Sequence, residues 1–272
     1  MGLIDEVTVE SLILPHLSIG KRGFKAKLDL VKIVLLILKR MKTGCQWREL
    51  SIGEYFSNDA PCWQTVYYYF HKWSRDGSFK KAWIAILAMY KMYLDLSSAQ
   101  FDGSHTPSKG GGEAVGYQGR KSANTSNSLY LSDNNGQMLA VGTPQCGQHN
   151  DLYNIETIFE EMFEVLEQAG INCKGLFLNA DPGFDSEQMK SLCERKEIEL
   201  NVKPNPRNNK QENPEYKYFD DELYKRRTKI EHANAWLDAF KALLVRYEKK
   251  IFTWMGLHWL AFITRFLRKI KV

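Results

Sequence analysis

The 272 residues are 44% hydrophobic and 25% charged and carry a formal net charge of +5, enough apolar content for a sizeable core, which excludes a disordered chain and leans weakly towards a polyanionic partner. Five cysteines (Cys45, Cys62, Cys146, Cys173, Cys193) stand far apart without a CxxC pair, so reduced thiols are expected rather than a disulfide scaffold or structural zinc. The start lacks a charged region followed by an apolar run, and stretches 33–38 and 255–266 are too short and interrupted to span a bilayer; a soluble, cytoplasmic protein is expected.

Residues 1–30, with Pro15, Gly20 and Gly23, read as a loose lead-in with one short helix. From Lys27 a buried helix is predicted, with Leu28, Leu30, Ile33, Val34, Leu36, Ile37 and Leu38, capped near Gly44. After a turn region holding Asn58, Asp59 and Pro61, the spacing of Trp63, Val66, Tyr67, Phe70 and Trp73 predicts a second helix. Phe79, Trp83, Ile86, Leu87 and Tyr90 begin a third after the Asp76-Gly77 break. This module reads either as a plain hydrophobic core or as a helix-turn-helix, with Arg48, Lys72 and Arg75 among the phosphate-contact candidates. Aromatic spacing does not separate the two.

Residues 98–102 read as a strand that delivers Asp102 just before Gly103, followed by a polar, Gly-rich loop through Gly119. Arg120 and Lys121 open a basic stretch. Residues 128–132 and 138–141 form a predicted hairpin around Asp133-Asn134-Asn135-Gly136. A helix is predicted over 152–169, with Ile155, Ile158, Phe159, Met162, Phe163, Val165 and Leu166 on its buried side. A central strand then ends on Asp181 before Pro182-Gly183, Asp185 or Ser186 caps the next helix, and 199–202 adds a strand. A polar loop over 203–221, with Pro204, Pro206 and Pro214, leads into one long helix from about Glu222 to Tyr247. Ala233, Trp236, Leu237, Phe240, Leu243, Leu244 and Tyr247 share its apolar face, and Tyr224, Arg227, Glu231 and Asp238 lie opposite. Residues 251–270 form a final helix in a basic end.

Two strand-end aspartates and a helix-borne glutamate are a constellation able to hold divalent ions, because hard cations prefer carboxylate oxygens and relieve the repulsion between them. Two such ions can activate a nucleophile and stabilise the leaving oxygen in phosphodiester displacement. Each acid also has an ordinary reading: Asp102 and Asp181 as turn or cap residues, Glu231 as a solvated partner of Arg227. His105, His149 and His232 lack the short spacing of a zinc site.

Several spaced blocks carry a family resemblance. Residues 43–50 and 69–77, then Asp102-Gly103-Ser104-His105, Gly119-Arg120-Lys121 and Gly147-Gln148-His149-Asn150-Asp151, stand in order before Ala180-Asp181-Pro182-Gly183-Phe184-Asp185. Tyr224, Arg227 and Glu231 follow, continued by Trp236-Leu237 and Arg246-Tyr247-Glu248. Together they resemble the DDE transposases of bacterial insertion sequences, in the branch grouped around insertion sequences four and five. The resemblance implies an α/β fold: a ribonuclease-H-like catalytic core with a mixed sheet flanked by helices, preceded by an all-helical N-terminal module. Residues 1–95 would bind DNA ends and 96–272 would form the catalytic domain with basic C-terminal helices.

Asp102 on the first core strand, Asp181 on the fourth and Glu231 on the following long helix would be the catalytic metal ligands, holding two Mg²⁺ ions per site, with Mn²⁺ as a substitute. The implied reaction is nicking at terminal inverted repeats and strand transfer into target DNA, by a dimer assembled on DNA ends. Tyr224 and Arg227 resemble DNA-contact positions. Where the family often carries a basic residue seven positions after the glutamate, this chain has Asp238, with Lys241 one turn later as the substitute. A catalytically silent DNA-binding relative and a ribonuclease-H-like nuclease without strand transfer are the alternatives.

Overall fold

Amphipathic helices and alternating strands leave apolar faces that must be buried, and the chain buries them in two separate units. The computed structural model describes residues 4–20, 28–57, 59–205 and 219–271; the break signals Gly23, Asn58, Pro206 and Pro214 lie outside the described residues. The helices and strands begin with α1 (Glu6–Thr8), α2 (Leu30–Thr43), α3 (Trp63–Arg75) and α4 (Ser78–Tyr90). Next come β1 (Ala99–Pro107), β2 (Gly116–Gln118), β3 (Ala123–Asp133), β4 (Met138–Val141) and β5 (Gln145–Cys146). Then follow α5 (Ile155–Gln168), β6 (Phe177–Ala180), α6 (Glu187–Arg195) and β7 (Glu199–Val202). The chain closes with α7 (Asp221–Lys225), α8 (Thr228–Asp238), α9 (Lys241–Leu244) and α10 (Ile251–Ile270).

One unit comprises Met1–Met89, Pro107–Glu113 and Trp236–Val272. It is helical. Asp29 caps α2 by accepting from the Val31 and Lys32 amides, and Gly44 ends it at φ 69°, the left-handed conformation a glycine adopts without strain. The α3 and α4 periodicity works as expected, burying Val66, Phe70, Trp73, Phe79, Trp83, Ile86 and Leu87. Trp83 meets Phe262 and Phe266 of α10 edge-on, and His71 meets Phe252 in the same way. The lead-in differs from expectation. Residues 6–16 are helical, passing from α1 through a π turn to a 3₁₀ turn. Val9, Ile13 and Leu17 are buried there, so packing decided the conformation where Pro15 and Gly20 suggested looseness.

The other unit comprises Tyr90–Thr106 and Ala114–Ala235. Its sheet runs β2-β3-β1-β6-β7, with β4 and β5 also pairing β3. The β1, β6 and β7 strands pair in parallel, whereas β2, β4 and β5 each pair antiparallel with β3, so the sheet is mixed. The predicted hairpin is present, with Tyr130 opposite Val141 and Leu131 opposite Ala140. Helix α5 buries the seven side chains expected of it, and Phe159 packs on Phe101 and Phe163. A helical N-terminal module is thus followed by a mixed sheet flanked by helices.

Two further expectations are corrected. The Gly-rich stretch after Asp102 is not all loop, because β1 continues to Pro107 and Gly116–Gln118 pairs with β3 as β2. The predicted long helix is three, α7, α8 and α9. At the first break the amides of Arg226, Arg227, Lys229 and Ile230 each donate to the carbonyl three residues back. At the second, Ala239 and Phe240 do the same, and Phe240 turns extended at φ −86°, ψ 101°. Periodicity identified the buried stripe, with Ala233, Leu237, Phe240 and Leu243 all buried. It carried no information on whether the backbone bonding ran unbroken, and Trp236, Leu244 and Tyr247 remain exposed.

Candidate active site

The register of β1 and β6 places the first two acids together. Phe101 pairs with Ala180, so Asp102 and Asp181 are the next residues on neighbouring parallel strands, whose spacing is about 4.8 Å. Asp181 follows the sixth strand in chain order rather than the fourth, because the short β2 and β5 intervene. Its Oδ1 accepts from the Gly183 amide at 2.9 Å, so it caps the 3₁₀ turn Pro182–Phe184 as its ordinary reading supposes.

A buried amide ladder crosses the parallel strands and fixes the start of α7. Asn201 Nδ2 donates to Asn179 Oδ1 at 2.8 Å, and Asn179 Nδ2 donates to Gln100 Oε1 at 3.0 Å. The same two amides donate to the Asp220 and Leu223 carbonyls, at 2.9 and 3.0 Å. All three side chains are fully buried or nearly so, where each polar atom needs a partner. The ladder therefore holds the segment that leads to Arg227 and Glu231.

Arg227 ties the third acid to the first. Its Nη1 lies 3.6 Å from Asp102 Oδ2 and its Nη2 3.4 Å from Glu231 Oε1. Tyr224 stands one turn earlier, its ring centroid 6.0 Å from the Arg227 guanidinium carbon and 4.9 Å from Lys203 Nζ. Glu231 is more than half exposed, Asp102 only about one fifth. Burial pushes the Asp102 carboxyl up to about 6; Arg227 and the Gly103 amide pull it down, while Asp151 and Asp181 push it further up.

Asp151, quoted in the family resemblance but not singled out as a candidate ligand, stands close to Asp102 and Gly103. Asn127, fully buried on β3, donates to its Oδ1 at 2.6 Å. Its carboxylate lies against Gly103, where a Cβ would stand 2.7 Å from Asp151 Cγ. The usable signal was Gly103 itself, since a glycine directly after a strand acid leaves room for a close neighbour.

The remaining sequence-derived candidates are dispersed. Arg120 is exposed, and Lys121 Nζ donates to the His105 carbonyl at 2.8 Å. Arg48, Lys72, Arg75 and Lys241 belong to the helical unit. Of these, Arg48 and Arg75 are exposed and Lys72 Nζ donates to the Ser18 carbonyl at 3.0 Å. Lys241 opens α9, beyond the end of α8 at Asp238, so it does not follow Glu231 along one continuous helix.

The oxygen-only donors Asp102, Asp181 and Glu231, with Asp151 beside them, fit a hard divalent cation in kind, and such a cation would offset the burial that chiefly holds Asp102 up, together with the smaller repulsion from Asp151 and Asp181. As they stand, no three His, Cys, Asp or Glu side chains among the described residues are arranged to hold a metal ion. No helix among the described residues is long and apolar enough to cross a membrane.

Residues 8–83 match a family model described as “Putative transposase of IS4/5 family”, and residues 101–264 match one described as “DDE superfamily endonuclease”. A search of curated proteins finds no match. Among solved structures, the chain is similar to the Mos1 strand transfer complex at 12% identity, covering 90% of this chain and 79% of that one, TM-score 0.29. The catalytic domain of the Mos1 mariner transposase is similar at 13% identity, covering 67% of this chain and 86% of that one, TM-score 0.28. With that second family model matched over more than half its length, the protein belongs to the DDE superfamily of endonucleases.

Proposed function

We propose that the protein is a DNA transposase that nicks DNA at terminal inverted repeats and joins the freed 3′-hydroxyl to target DNA. The observation that carries this reading is the placement of Asp102 and Asp181 directly after the last paired positions, Phe101 and Ala180, of adjacent parallel strands, with Arg227 bridging Asp102 to Glu231. Asp102, Asp181 and Glu231 would hold two Mg²⁺ ions, or Mn²⁺ in their place. Such ions, when bound, activate the attacking oxygen and stabilise the leaving one in in-line displacement.

The chain's own groups account for the rest. Arg227 pairs with Asp102 and Glu231 here, and its forked donors suit a scissile-strand phosphate when DNA enters. Tyr224, beside it, supplies a hydroxyl and a ring face to the same strand. Arg120 and Lys121 in this unit, and Arg48, Lys72, Arg75 and Lys241 in the helical unit, would grip the backbone without reading sequence. Strand joining requires two ends at once, which a dimer on DNA supplies; the setting would be the cytoplasm, at the nucleoid.

The test incubates the purified protein with Mg²⁺ and duplexes carrying the matched terminal repeats that flank its coding region. End-specific nicking followed by joining is expected. Nicking alone would make it a nuclease, and retarded but intact DNA a binding module. Asp102→Asn, Asp181→Asn and Glu231→Gln are each expected to abolish cleavage while sparing binding, and cleavage retained by any one of them removes that residue from the catalytic set.

A further inference from the structure

Each of the three acids already meets a donor. Asp102 Oδ1 accepts from the Gly103 amide at 3.0 Å, and its Oδ2 lies 3.6 Å from Arg227 Nη1. Asp181 Oδ1 accepts from the Gly183 amide. Glu231, more than half exposed, meets Arg227 Nη2 through its Oε1 at 3.4 Å. The Arg227 guanidinium therefore stands joined to two of the acids at once, on a side chain only about one fifth exposed.

The backbone places Arg227 independently of Glu231. Arg227 falls in the break between α7 and α8, its amide donating to the Tyr224 carbonyl three residues back at 2.9 Å, whereas Glu231 lies within α8. A turn rather than the helix of the third acid thus carries the guanidinium. The Tyr224 ring, its centroid 6.0 Å from the guanidinium carbon, gives that group an uncharged neighbour as well as its two acids.

A hard divalent ion prefers the same carboxylate oxygens that Arg227 holds, and two cations on one pair of acids repel each other. Arg227 and such an ion therefore compete for Asp102 and Glu231. A phosphate offers the guanidinium another anionic acceptor, one whose oxygens match its fork of donors. We propose that Arg227 guards the cation site: in the DNA-free protein it occupies Asp102 and Glu231, and a DNA phosphate draws it away, so that the acids take up metal when DNA is present. The inference rests on the transposase reading above and concerns the regulation of that same site.

Mn²⁺ alone, added to the full chain without DNA, tests the guard with no cleavage involved, the free aquated ion being read by its paramagnetic resonance signal. Arg227→Gln is expected to bind Mn²⁺ about tenfold more tightly than wild type, within the usual range of coupling between two sites. Arg226→Gln removes the same charge one position earlier, where the guanidinium donates to Ser97 Oγ at 3.3 Å, and should match wild type. Were Arg227 only a clamp that holds Glu231 in place, Arg227→Gln would bind Mn²⁺ more weakly; that result, unchanged affinity, or an equal gain in Arg226→Gln overturns the guard. A terminal-repeat duplex already nicked at its end tests the handover. Mn²⁺ should strengthen its binding to wild type more than to Arg227→Gln, because only in wild type do metal and phosphate both favour release of Arg227 from the acids. Equal strengthening overturns the handover. Wild-type nicking and joining alongside any of these failures leaves the transposase reading standing, whereas a wild type that binds no terminal-repeat DNA overturns that reading and the handover together.

Discussion

Gly103 shows how much one missing side chain can decide. It follows Asp102 on β1 and leaves the space that the Asp151 carboxylate fills. Alanine there would force Asp151 away from its 2.6 Å bond with Asn127 or push the β1 backbone aside. Gly103→Ala is therefore expected to lower DNA cleavage on the order of 100-fold, the usual consequence of displacing a reacting group by about 1 Å, with little change in thermal midpoint. Wild-type cleavage rates in that variant would show that the close approach of Asp151 is dispensable. The acids Asp102 and Asp181 were legible because each ends a local apolar run. Asp151 was not, since it sits in a turn and only its neighbours across space distinguish it from any other turn aspartate.

At the scale of elements, α7, which leads to Arg227 and on to Glu231 in α8, depends on partners far along the chain. Asn179 bridges Gln100, Asn201 and the Leu223 carbonyl. Asn179→Leu would strand these groups without partners inside the sheet, at a cost of about 2–4 kcal/mol, measurable as a lower urea midpoint. Cleavage should fall further than the unfolded fraction explains, because α7 loses its tether; activity that tracks stability alone would argue against a positioning role. The apolar stripe over 233–243 was correctly located by its spacing, yet the helix bearing it is interrupted at Arg226-Arg227 and again at Ala239-Phe240. Spacing reports which face is buried. Carbonyls that accept from three rather than four residues ahead preserve the face and break the helix.

On the scale of the whole molecule, two buried groups pull stability in opposite directions with pH. Asp102, raised to about 6 chiefly by burial, holds its proton in the folded state where the unfolded chain has released it. Its contribution makes the fold less stable as pH rises from about 4 to 6, by about 3 kcal/mol in order of magnitude. His258, fully buried on α10 with its Nδ1 2.9 Å from the Trp254 carbonyl, is lowered to about 4 by burial, with Arg246 adding to the effect against that hydrogen bond. The unfolded histidine takes up a proton below about 6.5 that the folded one refuses, so its contribution is lost as pH falls from 6.5 to 4, again by about 3 kcal/mol. In metal-free buffer, Asp102→Asn should make the unfolding midpoint climb more steeply with pH than wild type between 4 and 6. His258→Gln should make it climb less. Variant profiles parallel to wild type would contradict both assignments. The sequence by itself determined the family blocks, the strands that present Asp102 and Asp181, and the buried faces of α3, α4 and α5, because each depends on residues within a few positions of one another. Tertiary structure alone decided that Asp102 and Asp181 directly follow paired positions of adjacent parallel strands, that Gln100 meets Asn179 across 79 positions of chain, that Asp151 closes on Gly103, and that α10 packs with α3 and α4. Those contacts follow from strand register and from which apolar faces find each other, and neither is written in the local spacing of side chains.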